Sequence, residues 1–232
     1  MRSPKVAIVD YRLGNLFSVK QACEQAGMEG TITSEAKEIL SSDGVILPGV
    51  GAFADAMATL SHLGLVKALK EYAASGRPLV GVCLGMQLLM EESHEFGLHQ
   101  GLGLIRGDVV KLEVSQQGAR RLKVPQIGWN RIFHPSSTGD WSNSPLAGLN
   151  SGEYMYFVHS FYVRPKNRSA LFSATSYGPV SFCSGLRQGN IVAFQFHPER
   201  SGPMGLKIYR NIAGWFVSFM SRPQEGSLCR SH

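Results

Sequence analysis

Cys83 stands where a short apolar strand meets a helix. The run Pro78-Leu79-Val80-Gly81-Val82-Cys83 is apolar and rich in β-branched residues. After Gly85, Met86, Leu88, Leu89 and Met90 continue at helical spacing into Glu91-Glu92. A strand-to-helix elbow lifts the side chain at the sheet's carboxyl end toward the helix N-terminus, where the positive end of the dipole favours thiolate over thiol. A nucleophile of this kind needs a base, and Ile191-Val192-Ala193-Phe194-Gln195-Phe196-His197-Pro198-Glu199 supplies His197 at the end of a second apolar strand. Residues two apart share a strand face, so continued strand geometry would let Glu199 hold the imidazole in one tautomer while Pro198 stiffens the link. Taken singly, a cysteine or a histidine is most often a satisfied core residue. Two strand ends that carry a nucleophile, a base and an orienting acid point instead to acyl transfer through a thioester.

Such chemistry also needs an oxyanion hole. Pro48-Gly49-Val50-Gly51 follows the apolar run Gly44–Leu47, and its glycines let backbone N–H groups approach a substrate and let a peptide plane turn. An ordinary tight turn would use the same residues. That freedom would also allow the peptide to rest with its N–H turned away until a bound partner favours the competent orientation.

The elements that must position these residues alternate in kind. Residues 6–10, a helix near 15–26, strand 44–47, helices around 53–74, strand 79–82 and a helix over 85–92 imply a parallel sheet with helices on both faces. From Gly103 the texture turns β-rich, and runs at 104–114, 154–163 and 171–177 should extend that sheet as mixed or antiparallel strands. Residues 182–186 and 191–196 read as a hairpin across Arg187-Gln188-Gly189-Asn190 that delivers His197, and a helix over 204–220 closes the domain. The expected fold class is α/β. It is a single domain over residues 1–220, with a mixed, largely parallel sheet flanked by helices in the flavodoxin-like manner, followed by a polar tail at 221–232.

A length of 232 residues suits one well-buried domain, and no apolar run approaches the roughly 20 residues that span a bilayer. Met1-Arg2-Ser3-Pro4-Lys5 leads directly into a strand without a separate apolar targeting segment, so a cytoplasmic location is expected. The four cysteines, Cys23, Cys83, Cys183 and Cys229, form no CxxC pair, which suggests neither a zinc site nor a disulfide framework. Cys23 and Cys183 read as small core hydrophobes and Cys229 as a tail residue. The net charge of +6 is spread over small groups, Arg120-Arg121-Lys123 and Arg164-Lys166-Arg168, without a nucleic-acid motif. A solvated face is the first reading of that charge, and a docking face for an acidic partner the second. No phosphate-binding, dinucleotide-binding or zinc spacing occurs, so no cofactor or metal is expected. Whatever accepts the product of the thioester chemistry must then lie on another polypeptide.

Gly81-Val82-Cys83-Leu84-Gly85-Met86-Gln87 and Gln195-Phe196-His197-Pro198-Glu199 resemble the two signatures of the class I (triad-type) glutamine amidotransferases. Asp10-Tyr11-Arg12-Leu13-Gly14-Asn15-Leu16, Leu47-Pro48-Gly49-Val50-Gly51-Ala52-Phe53 and Val124-Pro125-Gln126-Ile127-Gly128-Trp129-Asn130 narrow the likeness to the glutaminase subunits that feed a (β/α)8-barrel cyclase in histidine biosynthesis. The resemblance implies a triad of Cys83, His197 and Glu199 that hydrolyses glutamine to glutamate and ammonia. It also implies a heterodimer in which the ammonia reaches the cyclase without meeting bulk water. For the oxyanion hole it implies N–H groups from the peptide around Gly49 and Val50 and from Leu84. Glutamine contacts are implied at Gln87, Glu95, Ser160 and Phe161, and partner contacts at Asn15, Trp129 and Arg200. Read from the residues alone, Gln87 and Glu95 are uninformative, a solvated helix residue and a surface charge being their plain alternatives. His159 would be structural rather than catalytic, and Trp129 either core or an interface anchor.

Arg12, Gln126 and Arg200 stand where this family commonly has Gly, His and Lys, and all three are expected on the partner-facing side. They leave open a paralogue with the same chemistry and another ammonia acceptor, for example in sugar amidation for surface polysaccharide. A non-catalytic regulatory subunit would have no need of Cys83, His197 and Glu199. A free-standing cysteine peptidase would not require the Gly-Trp-Asn segment.

Overall fold

Strands that are apolar on both faces need a covering layer on each side. That is the arrangement in a computed structural model, which describes residues 2–113, 122–135 and 141–221. In chain order the elements are β1 Lys5–Val9, α1 Leu16–Gln25, β2 Glu29–Thr33, α2 Ala36–Ser41, β3 Gly44–Leu47, α3 Phe53–His62, α4 Leu65–Ala74, β4 Leu79–Val82 and α5 Leu84–Leu88. They continue as β5 Met90–Ser93, β6 His99–Gln100, β7 Ile105–Lys111, β8 Gln126–Ile132, β9 Glu153–His159, β10 Phe161–Pro165, β11 Leu171–Tyr177, β12 Val180–Gln188, β13 Ile191–Phe194 and α6 Gly202–Met220. Short 3-10 turns lie at Arg168–Ala170 and Pro198–Arg200.

β2, β1, β3, β4 and β13 lie side by side in parallel, and β12, β10 and β7 continue the sheet in antiparallel pairs. β5 and β6 close that edge, and β11 pairs with β12. Alternate side chains of the parallel strands serve two cores. Ala7, Val9, Val45, Leu47 and Leu79 pack with Ile39, Phe53, Leu69 and Met86. Val6, Ile8, Ile46, Val80 and Val82 pack with Val19, Ile208, Ile212 and Phe216. Burying a Val, Leu, Ile or Phe side chain contributes about 1.5–3 kcal/mol, so these two cores fix where each strand ends.

The fold departs from the expectations in particular places. The helix expected over 85–92 stops at Leu88, and Met90–Ser93 is a strand between β7 and β6. Leu88, Leu89 and Met90 are all fully buried, and an unbroken buried apolar run carries no period that separates helix from strand. The run 154–163 is two strands, broken at Ser160. β9 belongs with β8 in a separate two-stranded ribbon, and only β10 extends the main sheet. The helices expected around 53–74 do form, as α3 and α4 parted at Gly64, whose φ of 69° favours glycine. The hairpin before His197 is tighter than expected, because Gln188 already pairs with Ile191. β2 and α2 had no expectation: β2 is the half-exposed edge of the sheet, and α2 has only six residues. Val114, Arg120, Arg121 and the tail with Cys229 lie outside the described residues.

Candidate active site

The carboxyl ends of β1, β3, β4 and β13 lead into Tyr11, Pro48-Gly49, Cys83 and Gln195 to His197, which meet on one side of the sheet. Ligand crevices of open α/β sheets lie outside such strand ends. Cys83 turns the elbow with φ 55° and ψ −111°, a conformation that costs a non-glycine residue on the order of 1–3 kcal/mol. The surroundings enforce it. Cys83 N–H donates to the Phe194 carbonyl at 2.7 Å, and the Cys83 carbonyl accepts from Met86 at 3.0 Å and Gln87 at 3.3 Å. A side chain at Gly85 would collide with the Leu47 carbonyl, so glycine lets α5 press against β3.

His197 N–H donates to the Tyr156 carbonyl at 2.9 Å, tying the base to the ribbon. Its Nδ1 pairs with Glu199 Oε1 at 2.7 Å, both side chains being almost wholly buried. The expected contact thus forms, but by different geometry. β13 ends at Phe194, and Pro198–Arg200 is a 3-10 turn that folds Glu199 back onto the ring. Burial alone would lower the imidazole from 6.5. The charge of Cys83, with the hydrogen bond and charge of Glu199, outweighs burial and raises the imidazole to about 10. Nε2 carries no well-formed hydrogen bond at rest, which leaves it free for proton transfer beside the sulfur.

A cavity of about 230 Å³ opens at the sulfur. Leu84, Gln87, Glu95, Ser160 and Phe161, the expected oxyanion and glutamine residues beyond the 48–51 loop, all line it, as do Val50 and Gly51. Gln87 is buried rather than solvated, and its Nε2 donates to the Phe161 carbonyl at 2.9 Å and to Gln195 Oε1 at 3.1 Å. Glu95 is not a free surface charge either: Oε2 accepts the Phe53 N–H at 2.6 Å, capping α3. His159, expected to be structural, is buried and lines the same cavity. Burial holds it down at about 4, against the Phe161 carbonyl 2.9 Å from Nδ1, with the nearby His197 charge adding to the downward shift.

At the loop, the Leu84 N–H donates to the Gly49 carbonyl at 3.3 Å. Tyr11, fully buried, donates its hydroxyl to the Pro48 carbonyl at 2.7 Å. A Cβ on Gly49 would overlap that hydroxyl oxygen, so only glycine fits between Tyr11 and Leu84. Among the expected partner residues, Asn15 and Arg200 are exposed and Trp129 is 56% exposed. Trp129 stands edge-on to Tyr156 at 6.1 Å, and the Arg200 guanidinium lies 4.6 Å above the same ring. Arg12 is exposed at φ 67°, a left-handed position natural to glycine, with its N–H held by Asp10 at 2.8 Å. Gln126 corrects the expectation for the three departures. It is buried, paired across the ribbon with His159, and so does not lie on a partner-facing surface.

The family model described as glutamine amidotransferase class-I matches residues 7–213. The chain belongs to the class-I glutamine amidotransferases. Two similar proteins are named imidazole glycerol phosphate synthase subunit HisH. The one from Rhodopirellula baltica is 43% identical over 208 residues, covering 90% of this chain and 96% of its own. The one from Geobacter sulfurreducens is 42% identical over 209 residues, covering 90% and 97%. A solved structure of a putative GMP synthase subunit protein from Thermoplasma acidophilum matches with a TM-score of 0.67 at 19% identity, over 95% of this chain and 97% of that one. This likeness, too distant in sequence to speak of function, shows that the architecture is shared. As a class-I glutamine amidotransferase the chain is an enzyme subunit. Among the described residues no cluster of three or more metal-ligating side chains occurs, and no helix is long and apolar enough to cross a membrane.

Several residues at this amidotransferase site carried no sequence expectation, Tyr11, Val158 and Gln195 among them. Gln195 had a signal: it is a lone polar residue between Phe194 and Phe196 in an apolar strand run, and a polar group buried there must have partners.

Proposed function

We propose that this amidotransferase is the glutaminase subunit of an imidazole glycerol phosphate synthase, supplying ammonia to a (β/α)8-barrel cyclase in histidine biosynthesis. The observation that carries the reading is the buried His197–Glu199 pair at 2.7 Å, set beside Cys83 at the mouth of a cavity lined by Gln87, Glu95, Ser160 and Phe161. Names shared by relatives at 42–43% identity support the choice of synthase.

In this reading the Cys83 thiolate attacks the side-chain carbonyl carbon of glutamine. The developing oxyanion takes N–H donors from Leu84 and, once the 49–50 peptide has turned, from Val50. His197 passes its Nε2 proton to the leaving nitrogen, so that ammonia departs and a thioester remains. The now neutral imidazole draws a proton from water, which cleaves the thioester to glutamate and restores the thiolate beside imidazolium. Glu199 holds the ring throughout. Residues 1–220 form the catalytic domain, and the chain works in the cytoplasm, where thiols such as Cys23 and Cys183 stay reduced. Asn15, Trp129 and Arg200 face the cyclase, and the partners form a heterodimer.

Co-purification with a barrel cyclase, followed by glutamine-dependent turnover of the cyclase's nucleotide substrate, tests this reading. Stimulation by a different synthase alone would move the chain to the paralogue reading.

A further inference from the structure

The Cys83 sulfur has two close polar neighbours of opposite character. The Val158 carbonyl oxygen lies at 3.7 Å and Gln195 Nε2 at 3.8 Å. A carbonyl can only accept, so it is satisfied by the thiol and repels the thiolate. An amide N–H can only donate, so its interaction strengthens when the sulfur carries charge.

Which end of the Gln195 amide faces the sulfur is set by the chain of bonds behind it. The Phe161 carbonyl accepts from Gln87 at 2.9 Å, so Gln87 turns its NH2 inward, and that NH2 also donates to Gln195 Oε1 at 3.1 Å. Gln195 then has its oxygen committed to Gln87 and only its NH2 left for the sulfur. The arrangement is rigid: Gln195 has no exposed surface, its backbone N–H is bonded to the Ser184 carbonyl at 3.0 Å, and Phe194 and Phe196 flank it.

We propose that Gln195 is a catalytic residue that donates an amide N–H to the Cys83 thiolate, and that Gln87 is the positioning residue that aims it. This deepens the proposed function, since it rests on Cys83 being the nucleophile. The other titratable groups around the sulfur leave the role open. His197, backed by Glu199, is a charge partner and proton carrier. Tyr11 is held protonated by burial, and the Cys83 charge reinforces this. His159 is held neutral, and Glu95 has one carboxylate oxygen bonded to the Phe53 N–H. Gln195 supplies a donor that does not change its own charge as the reaction proceeds, so the thiolate meets the same N–H before it attacks and again when it is released. The same N–H favours return of the sulfur as a leaving group when water cleaves the thioester.

The test measures the rate of iodoacetamide alkylation of Cys83 in the full chain, mapped by mass, without glutamine and across pH. Gln195→Leu should slow alkylation by up to about tenfold at pH values below the thiol's midpoint, the size expected for a lost charge-assisted hydrogen bond. The rates should converge above about pH 10, where a cysteine ionises without help. The near-isosteric Gln195→Glu should be slower still near neutral pH, because a carboxylate then faces the sulfur. Gln87→Leu does not touch the sulfur and should reproduce part of the loss by freeing Gln195 to turn. An unchanged profile in a folded Gln195→Leu protein overturns the proposal, as does a loss that is equal at every pH. Should Gln195→Leu fail to fold, alkylation of Gln195→Glu at the wild-type rate overturns it. Labelling of Cys83 by a glutamine-like electrophile is a separate measurement, so failure here would leave the nucleophile assignment standing.

Discussion

The carbonyl oxygen of Gly49 accepts a hydrogen bond from the Leu84 N–H at 3.3 Å. The two groups proposed to hold an oxyanion are therefore set against each other. The Leu84 donor is occupied, and the Val50 N–H, on the opposite edge of the same trans peptide, is directed away. A bond at 3.3 Å is longer than the usual range for N–H···O and is readily given up.

The isolated chain is accordingly expected to hydrolyse glutamine slowly, and faster once a synthase is docked with its nucleotide ligand bound. A shift from about 1% to about 99% competent peptide needs roughly 5.5 kcal/mol of differential binding. Steady-state glutaminase assays with and without the cyclase check this, and Trp129→Ala should weaken the stimulation. Gly49→Ala should abolish activity in both states, since the added methyl meets the Tyr11 hydroxyl. An isolated chain that is already fully active would refute the gating.

Cys83→Ala should remove glutamine-dependent turnover by about a thousandfold or more while the complex still works with added ammonia. His197→Ala should behave alike, and Glu199→Ala should be milder, because it orients a base rather than acting as one. A diazo-ketone glutamine analogue should label Cys83 and spare Cys23 and Cys183, whose thiols are held up at about 12 and higher by burial. Label spread evenly among them would show that Cys83 has no special activation.

Burial opposes the His197 charge, but Cys83 and Glu199 raise the imidazole to about 10. Between about 6.5 and 10 the folded chain keeps a proton that an unfolded imidazole has released. The stability this charge contributes is therefore complete below 6.5 and is lost as pH rises through about 10. Nitrogen NMR of labelled imidazole should show an imidazolium at about pH 8. In Cys83→Ala its midpoint should fall, because the largest raising cause is gone. A neutral ring at that pH in the wild type contradicts the pairing.

Glu95→Ala should have two separable effects. Loss of the carboxylate that caps α3 at Phe53 should cost about 0.5–2 kcal/mol in denaturant unfolding. Loss of a charged wall of the cavity should raise KM for glutamine more than it lowers kcat. A stability change with unaltered KM would reduce Glu95 to a capping residue.

The sequence was most legible where local chemistry and strand periodicity agree. Cys83 and His197 sit at ends of strands that are apolar throughout, and their placement at one edge of the sheet could be read before any contact was known. Gln87 and Glu95 were legible only through family likeness. What makes them useful is a partner 74 positions away for Gln87 and 42 positions away for Glu95, and no local pattern encodes that. The end of α5 was hidden because Leu88 to Met90 are buried on every side. The link from His197 to Glu199 was found for the wrong reason, since a 3-10 turn and an extended strand can each bring residues two apart into contact. Gln126 was misplaced because a ribbon separate from the main sheet has an inner face that sequence spacing did not reveal.

The left-handed backbone at Cys83 has an evolutionary corollary. Glycine alone accepts such dihedrals without strain, so the residue best suited to this elbow's shape is one that cannot attack a carbonyl. Lineages released from the need for ammonia would be expected to drift toward glycine there, gaining thermal resilience as they lose turnover. Wherever the cysteine persists, selection for reactivity has outweighed selection for a relaxed chain.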